Sequence, residues 1–143
     1  VVRPGKDSKI VRVVIKGAPE YVIPYCTKIL NLDGDEEILR LDERERLLKE
    51  KIIEGFCKER ALKSIVYAYK DIDADDWDFL KDQNKNFASK QDRLMIEKDF
   101  VFLAAFGLND DLRDGVGDAI EKLRKGGISV RMVSGDNLNT AIQ

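Results

Sequence analysis

The chain has 143 residues, room for one compact domain or for one domain with part of another. Charged side chains make up 36% of it, yet 25 basic against 27 acidic residues leave only −2, which speaks against a dedicated nucleic-acid binder. Histidine is absent, which excludes Ser-His-Asp and Cys-His catalysis and the common histidine zinc sites.

Residues 10–16 are β-branched and read as a strand. Gly17 and Ala18 end it, and Pro19 suits the first turn of a helix, where its missing N–H costs nothing. Tyr21, Val22, Tyr25, Cys26 and Ile29 then recur at helical spacing, with Pro24 expected to kink or shorten that helix. A polar turn around Asp33 and Gly34 leads to a short extended piece over 38–41. Asp42 followed by Glu45 is an aspartate-led capping box. The helix it opens is expected to reach about residue 58, with Leu48, Ile52 and Phe56 on one stripe. Residues 62–69 read as a buried strand, and 71–90 as a polar surface insertion without a clear period. Residues 100–106 read as a second buried strand. A helix is expected over 114–125, with Val116, Ala119, Ile120 and Leu123 inward and Gly126 at its end. Residues 128–133 read as a third strand, and a new helix begins near Leu138. The last forty residues thus predict a βαβ unit with a right-handed crossover. The first seventy suit an α+β domain, and the boundary falls at 108–110.

No apolar run approaches bilayer length, and no targeting peptide opens the chain. Cys26 and Cys57 form no CxxC pair and fit a reducing compartment. The start at Val1 and the stop just after a helix begins suggest a piece of something longer.

Four clusters carry candidate chemistry. Ser134, Gly135 and Asp136 follow an expected strand and precede an expected helix, where parallel sheets bind ligands. A hydroxyl, a close-approach glycine and a carboxylate there suit phosphoryl chemistry, with a helix N-terminus behind them. The plainer alternative is a turn with Asp136 or Asn137 as a helix cap, and on the tripeptide alone it is the commoner one. Lys16 and Gly17, before Ala18, Pro19 and Glu20, put a cation and bare backbone at the end of a strand. The alternative is a solvated lysine in an ordinary connection. Lys63 lies in an otherwise apolar strand and either reaches a phosphate or points to solvent. Asp71, Asp73 and Asp75 imitate the first positions of an EF-hand. Asp76 then stands where the glycine is needed, so a solvated acidic loop is the better reading. No metal site is assigned. Neither GxxxxGK[ST] nor GxGxxG occurs.

Taken together, three segments resemble P-type cation-transporting ATPases: Lys16 to Glu20, the stretch from Asp110 to Arg113, and GISVRMVSGDNLNTA over residues 127–141. The last is similar to the plasma-membrane calcium-pump branch, as are residues 26–32 and 67–71. The resemblance covers nearly the whole chain and is weakest over 72–98. It implies that residues 1–108 are the C-terminal part of a nucleotide-binding domain. Residues 109–143 would begin a phosphorylation domain of haloacid-dehalogenase type. The overall class is then α/β and α+β.

The resemblance also implies roles. Lys16 and Gly17 would line the adenine pocket, and Lys63 would stand where the family usually has an arginine near the nucleotide phosphates. Asp110 and Arg113 match a DPxR hinge, in which Asp111 replaces the proline. Ser134, Gly135 and Asp136 match the TGD motif that contacts the transferred phosphoryl group. ATP is the implied ligand, with Mg2+ held by residues outside this sequence. The DKTGT aspartate, the GDGxND motif, the ring that stacks on adenine and the transmembrane helices are not in it. The implied partners are the transmembrane domain and the rest of the phosphorylation domain of one multi-pass membrane protein, with this segment on the cytoplasmic side and no nucleic acid involved. The 143 residues alone are not expected to hydrolyse ATP. Two other readings remain: a non-catalytic adenine-nucleotide-binding regulatory module, and a piece of a soluble haloacid-dehalogenase-type phosphatase.

Overall fold

A computed structural model describes residues 2–4, 9–60, 62–109 and 111–135, the first three as backbone only. Asp110, Asp136 and the helix expected from Leu138 lie outside the described residues.

Strand β1 (Val2–Pro4) pairs antiparallel with β2 (Ile10–Gly17), which fills the first expected strand. A Cβ on Gly17 would stand 3.2 Å from Cγ2 of Val22, so the bare glycine lets α1 (Pro19–Val22) fold back onto the strand end. The helix expected to run to Ile29 stops there. Pro24 cannot donate the next helical hydrogen bond, and Ile23–Tyr25 tightens into a 3₁₀ turn. The chain leaves as a strand, β3 (Cys26–Leu30).

A hairpin then joins β3 to β4 (Glu36–Ile38), which begins two residues earlier than the extended piece expected over 38–41. The Asn31 side-chain oxygen accepts the backbone N–H groups of Asp33 (3.0 Å) and Asp35 (2.8 Å), an Asx turn that closes the loop. Gly34 sits at φ +92, a region that costs a side-chain-bearing residue about 1–2 kcal/mol. Gly34→Ala is therefore expected to lower stability by about that amount in urea unfolding, without changing the slope of the transition.

The next helix, α2 (Leu41–Arg46), continues as a π-helix over Leu47–Lys58. Its cap differs from the expected Asp42–Glu45 pair. The Arg40 N–H donates to the Glu43 carboxylate at 2.9 Å, so the motif sits two residues earlier. Ile52 is buried in the core, and Leu48 and Phe56 pack against it, as the stripe predicts.

Strand β5 (Lys63–Asp73) outruns the expected 62–69, because Lys70 to Asp73 continue the ladder with β2. The supposed polar insertion over 71–90 is ordered. It supplies the end of β5, then α3 (Ala74–Gln83), a 3₁₀ turn at Lys85–Phe87 and the start of α4 (Lys90–Arg93). Trp77 and Leu80, three residues apart on α3, pack against the core. Two anchors among so many aspartates leave too weak a period to read. The aspartate spacing is dissolved as well: Asp71 and Asp73 belong to β5, and Asp75 and Asp76 to the first turn of α3.

Strand β6 (Phe100–Leu108) completes a mixed sheet in the order β1-β2-β5-β6-β3-β4. All pairs are antiparallel except β3 with β6. Only Phe100, Val101 and Phe102 of β6 are buried, so the strand is less enclosed than its apolar run suggested. The core lies on one face of the sheet, where Val13, Val66, Ala68, Ile72, Phe100 and Phe102 meet Val22, Ile23 and Ile52 from the helical segments.

Beyond β6 the expected βαβ unit does not form among the described residues. Helix α5 (Val116–Lys125) is present, starting two residues later than expected. None of its residues is buried: Val116 and Ile120 are half-covered, and Ala119 and Leu123 are exposed, so the inward stripe has nothing to face. Residues 128–133 are coil, not a strand. A strand needs a neighbour for its backbone groups, and no described strand pairs with this segment.

Candidate functional site

Successive residues of a strand alternate between faces, and directly opposed residues share one. This rule sorts the candidates. Gly17 lies opposite Val66, on the helix-covered face. Lys16 lies opposite Tyr67, on the other face, and is exposed. Lys63 is four residues from Tyr67 on the same strand, hence also on that face, and exposed. The structure thus puts Lys16 and Lys63 on one side of the sheet, about 13 Å apart along the strand direction. A nucleoside triphosphate can bridge such a span. No described helix contributes to the core from this side.

Two residues absent from the sequence-derived list line the same face. Tyr67 lies between Lys16 of β2 and Ala104 of β6. Its ring meets Phe106 edge to face, with centroids 5.7 Å apart and planes at 88°. The register of β5 against β6 slips between Tyr67 and Ala68, making Leu103 the extra residue of a bulge. The bulge keeps Phe100 and Phe102 in the core while turning Ala104 and Phe106 outward. Alternation along 63–67 could have placed Tyr67 beside Lys63. Phe106 could not be placed without the bulge.

Further along this face the charges cancel locally. The Arg12 guanidinium donates two bonds to Asp71, at 2.7 and 2.6 Å, and lies 4.4 Å over the Tyr69 ring. The Tyr69 hydroxyl donates to Glu36 at 2.9 Å, and the Lys28 ammonium donates to the same carboxylate at 2.9 Å. The bond from Lys28, then that from Tyr69, holds the Glu36 carboxyl below its ordinary range. Burial, then the bond to Glu36, pushes the Tyr69 phenol up to about 12. This end of the face is satisfied within itself, and Lys16 and Lys63 lie further along it.

The remaining candidates are not brought to the sheet face. Ser134 and Gly135 are exposed in coil, and Arg113 is exposed between β6 and α5. The Asn109 amide donates to Asp111 at 2.9 Å in the segment expected to act as a hinge. Helix α1 is a single turn led by proline, so it offers few free N–H groups to an anion. Cys26 and Cys57 are both free and buried, and burial raises the Cys26 thiol to about 12, which keeps it protonated and inert. Among the described residues no three Cys, Asp or Glu side chains converge to hold a metal, and no helix is long and apolar enough to cross a membrane.

The sheet thus carries helices on one side and, on the other, an open face with Lys16, Lys63, Tyr67 and Phe106. Residues 1–115 match the family described as P-type ATPase, cytoplasmic domain N. The chain belongs to that family. It is 37% identical over 134 residues to plasma membrane calcium-transporting ATPase 1 of Gallus gallus, covering 91% of this chain and 10% of that protein. It is 38% identical over 133 residues to plasma membrane calcium-transporting ATPase 3 of Rattus norvegicus, covering 91% and 9%. It is 35% identical over 131 residues to putative calcium-transporting ATPase 7, plasma membrane-type, of Arabidopsis thaliana, covering 92% and 11%. The chain spans about a tenth of the length of these relatives.

Proposed function

We propose that this chain is the ATP-holding part of a calcium-transporting P-type ATPase, placed on the cytoplasmic side of a multi-pass membrane protein. The observation that carries ATP as the ligand is the shared open face of Lys16 and Lys63, about 13 Å apart along the strand direction. Lys16 meets the base end, while the bare side of the adjacent Gly17 faces α1 on the opposite side of the sheet. Lys63 meets the phosphates as a point charge, without the two-pronged geometry of arginine. The segment over 110–113, with Asp110 and Arg113, is the hinge between residues 1–108 and a haloacid-dehalogenase-like phosphorylation domain begun by 109–143. Across that hinge, Ser134, Gly135 and Asp136 come to the transferred phosphoryl group. The serine hydroxyl and the glycine N–H can donate to its oxygens.

The acceptor is an aspartate of the whole pump, outside this sequence. Attack of its carboxylate oxygen on the γ-phosphorus breaks the bond to the bridging oxygen and releases ADP. Mg2+ would be held by residues outside this sequence, and no residue of this chain is assigned to it. Calcium is the transported ion by likeness to the named relatives, and no residue of this chain is assigned to it. The 143 residues bind ATP without hydrolysing it.

Titration of the chain with ATP, followed by NMR, tests this reading. Lys16→Ala is expected to weaken binding about tenfold, in line with the loss of one charge-assisted contact. Unchanged affinity would remove Lys16 from the site. Phosphate release from ATP by the isolated chain would contradict its assignment as a binding segment only.

A further inference from the structure

Helix α3 presents a ring that the fold does not use. Trp77 and Leu80 pack against the core, whereas Phe79 is 65% exposed. Residues three and four apart are neighbours on a helix surface, so Asp75, Asp76 and Asp82 flank the Phe79 ring. Lys81, two residues on, stands nearly opposite it round the helix. Asp75 and Asp76 suit the first turn, where a carboxylate meets the positive end of the helix dipole. Asp82 stands in the last turn, where the same dipole disfavours it, so helix stability does not explain its presence. Beside the ring, a groove of about 410 Å3 opens between the end of β5 and α3. Ile72, Phe79 and Leu80 give it apolar walls, and Asp73 and Asp76 stand on its rim. Asp71 is held by Arg12, and Lys70, the cation of the lining, donates to the Lys98 carbonyl at 3.2 Å. Among the described residues Asp73, Asp75, Asp76 and Asp82 make no ion pair.

We infer that this groove and ring form a docking surface for a basic peptide segment of another protein. One apolar side chain of that segment sits between Ile72, Phe79 and Leu80, with Lys or Arg residues on either side of it. Charge decides the occupant. Residues 71–82 carry six aspartates against one lysine. A second copy meeting this surface face to face would bring the same aspartates and be repelled, as would an acidic lipid surface or a nucleic acid. A cationic segment is instead steered onto it. Its ammonium or guanidinium groups can also lie over the face of the Phe79 ring. An aromatic anchor inside a charged rim is the ordinary make-up of a protein interface. The surface lies in the stretch where the resemblance to calcium pumps is weakest. It is a property of this chain, and it does not depend on the nucleotide reading.

The experiment titrates the 143-residue chain, followed by NMR, with a short synthetic peptide in which lysines flank a single leucine. In one control peptide serine replaces the leucine, and in another glutamates replace the lysines. The parent peptide is expected to shift the signals of Ile72, Phe79 and Leu80 in the unmutated chain, a readout independent of any variant's folding. Its affinity falls as salt rises from about 0.05 to about 0.2 M. Both control peptides bind on the order of tenfold more weakly. Phe79→Ser, a change at an exposed position, costs about tenfold, within the range of an interface hot spot. The triple variant Asp75→Asn, Asp76→Asn, Asp82→Asn loses as much and flattens the salt dependence. Removing the same charge at exposed positions elsewhere, with Asp33→Asn, Asp35→Asn and Glu45→Gln, leaves the affinity unchanged. Equal losses in the two triple variants, undiminished binding of the serine control, or signals at Ile72, Phe79 and Leu80 that the peptide leaves in place overturn the docking surface. Shifts of those signals with protein concentration alone would assign the face to a second copy of the chain and overturn it as well.

Discussion

Phe100→Ala is expected to cost about 3–5 kcal/mol, a large part of the 5–15 kcal/mol that holds a typical domain together. Phe100 is 0% exposed and opens β6 beside Cys26, itself 0% exposed, in the sheet's parallel pair. The ring therefore sits where β3 and β6 meet the helical layer. Removing it leaves a cavity lined by apolar side chains, which stays empty because it offers no polar group to hold water. Collapse around the void is resisted from both sides. The sheet backbone is fixed by its ladder, and Ile23 and Ile52 are already close-packed at 1% exposure. Phe100→Leu refills most of the volume and is expected to cost less than about 1.5 kcal/mol. Urea unfolding followed by circular dichroism separates the two. A loss below about 1 kcal/mol for the alanine variant would mean that the helical layer can settle onto the sheet and fill the void.

The sequence shows most of this core and little of its arrangement. Strands over 10–16, 62–69 and 100–106 are readable because β-branched and aromatic residues crowd them, whatever they pair with. Strand β3 is hidden by coincidence. Tyr21, Val22, Tyr25 and Cys26 fall at helical spacing, but Pro24 blocks the helix and β6 offers Cys26 to Ile29 an alternative set of backbone partners. That partner is seventy residues away, and no local pattern points to it. The opposite error occurs over 128–133, where strand-like composition finds no neighbour among the described residues and the segment is coil. The candidate site divides along the same line. Lys16 and Gly17 are visible as a motif, but their opposite faces are not. That Lys16 shares its face with Lys63 and Tyr67, and that Phe106 turns to the same face from the next strand, depends on the β2–β5 register and on the bulge at Leu103. Register is a property of pairs of strands, and composition along one strand does not encode it.

Tyr69→Ala is expected to cost about 3 kcal/mol or more, the range for deleting a buried ring, while Tyr69→Phe is expected to cost only about 1 kcal/mol, the net worth of one hydrogen bond. Tyr69 is 7% exposed, held between the Arg12 guanidinium and the strands beneath. Its hydroxyl reaches Glu36 at 2.9 Å and so ties the β3–β4 hairpin to β5, across β6. The pH dependence distinguishes the hydrogen bond from simple packing. The folded phenol is raised to about 12, by burial first and the Glu36 bond second. The unfolded chain loses the same proton near 10. The folded state therefore binds more protons between these values. Its advantage is complete below pH 10 and falls by on the order of 1 kcal/mol per pH unit above it. Tyr69→Phe has no such proton, so the gap of about 1 kcal/mol between the two proteins at pH 7 should close near pH 11 and reverse above it. On the acid side the sign reverses. Glu36 is lowered by Lys28 first and Tyr69 second, so its stabilisation is present above the ordinary carboxylate pKa and is lost as pH falls through the lower folded value. The phenylalanine variant removes only the lesser cause, and its acid transition should move slightly upward in pH. A constant gap between the two proteins up to pH 12 would mean that the ring is held by packing alone.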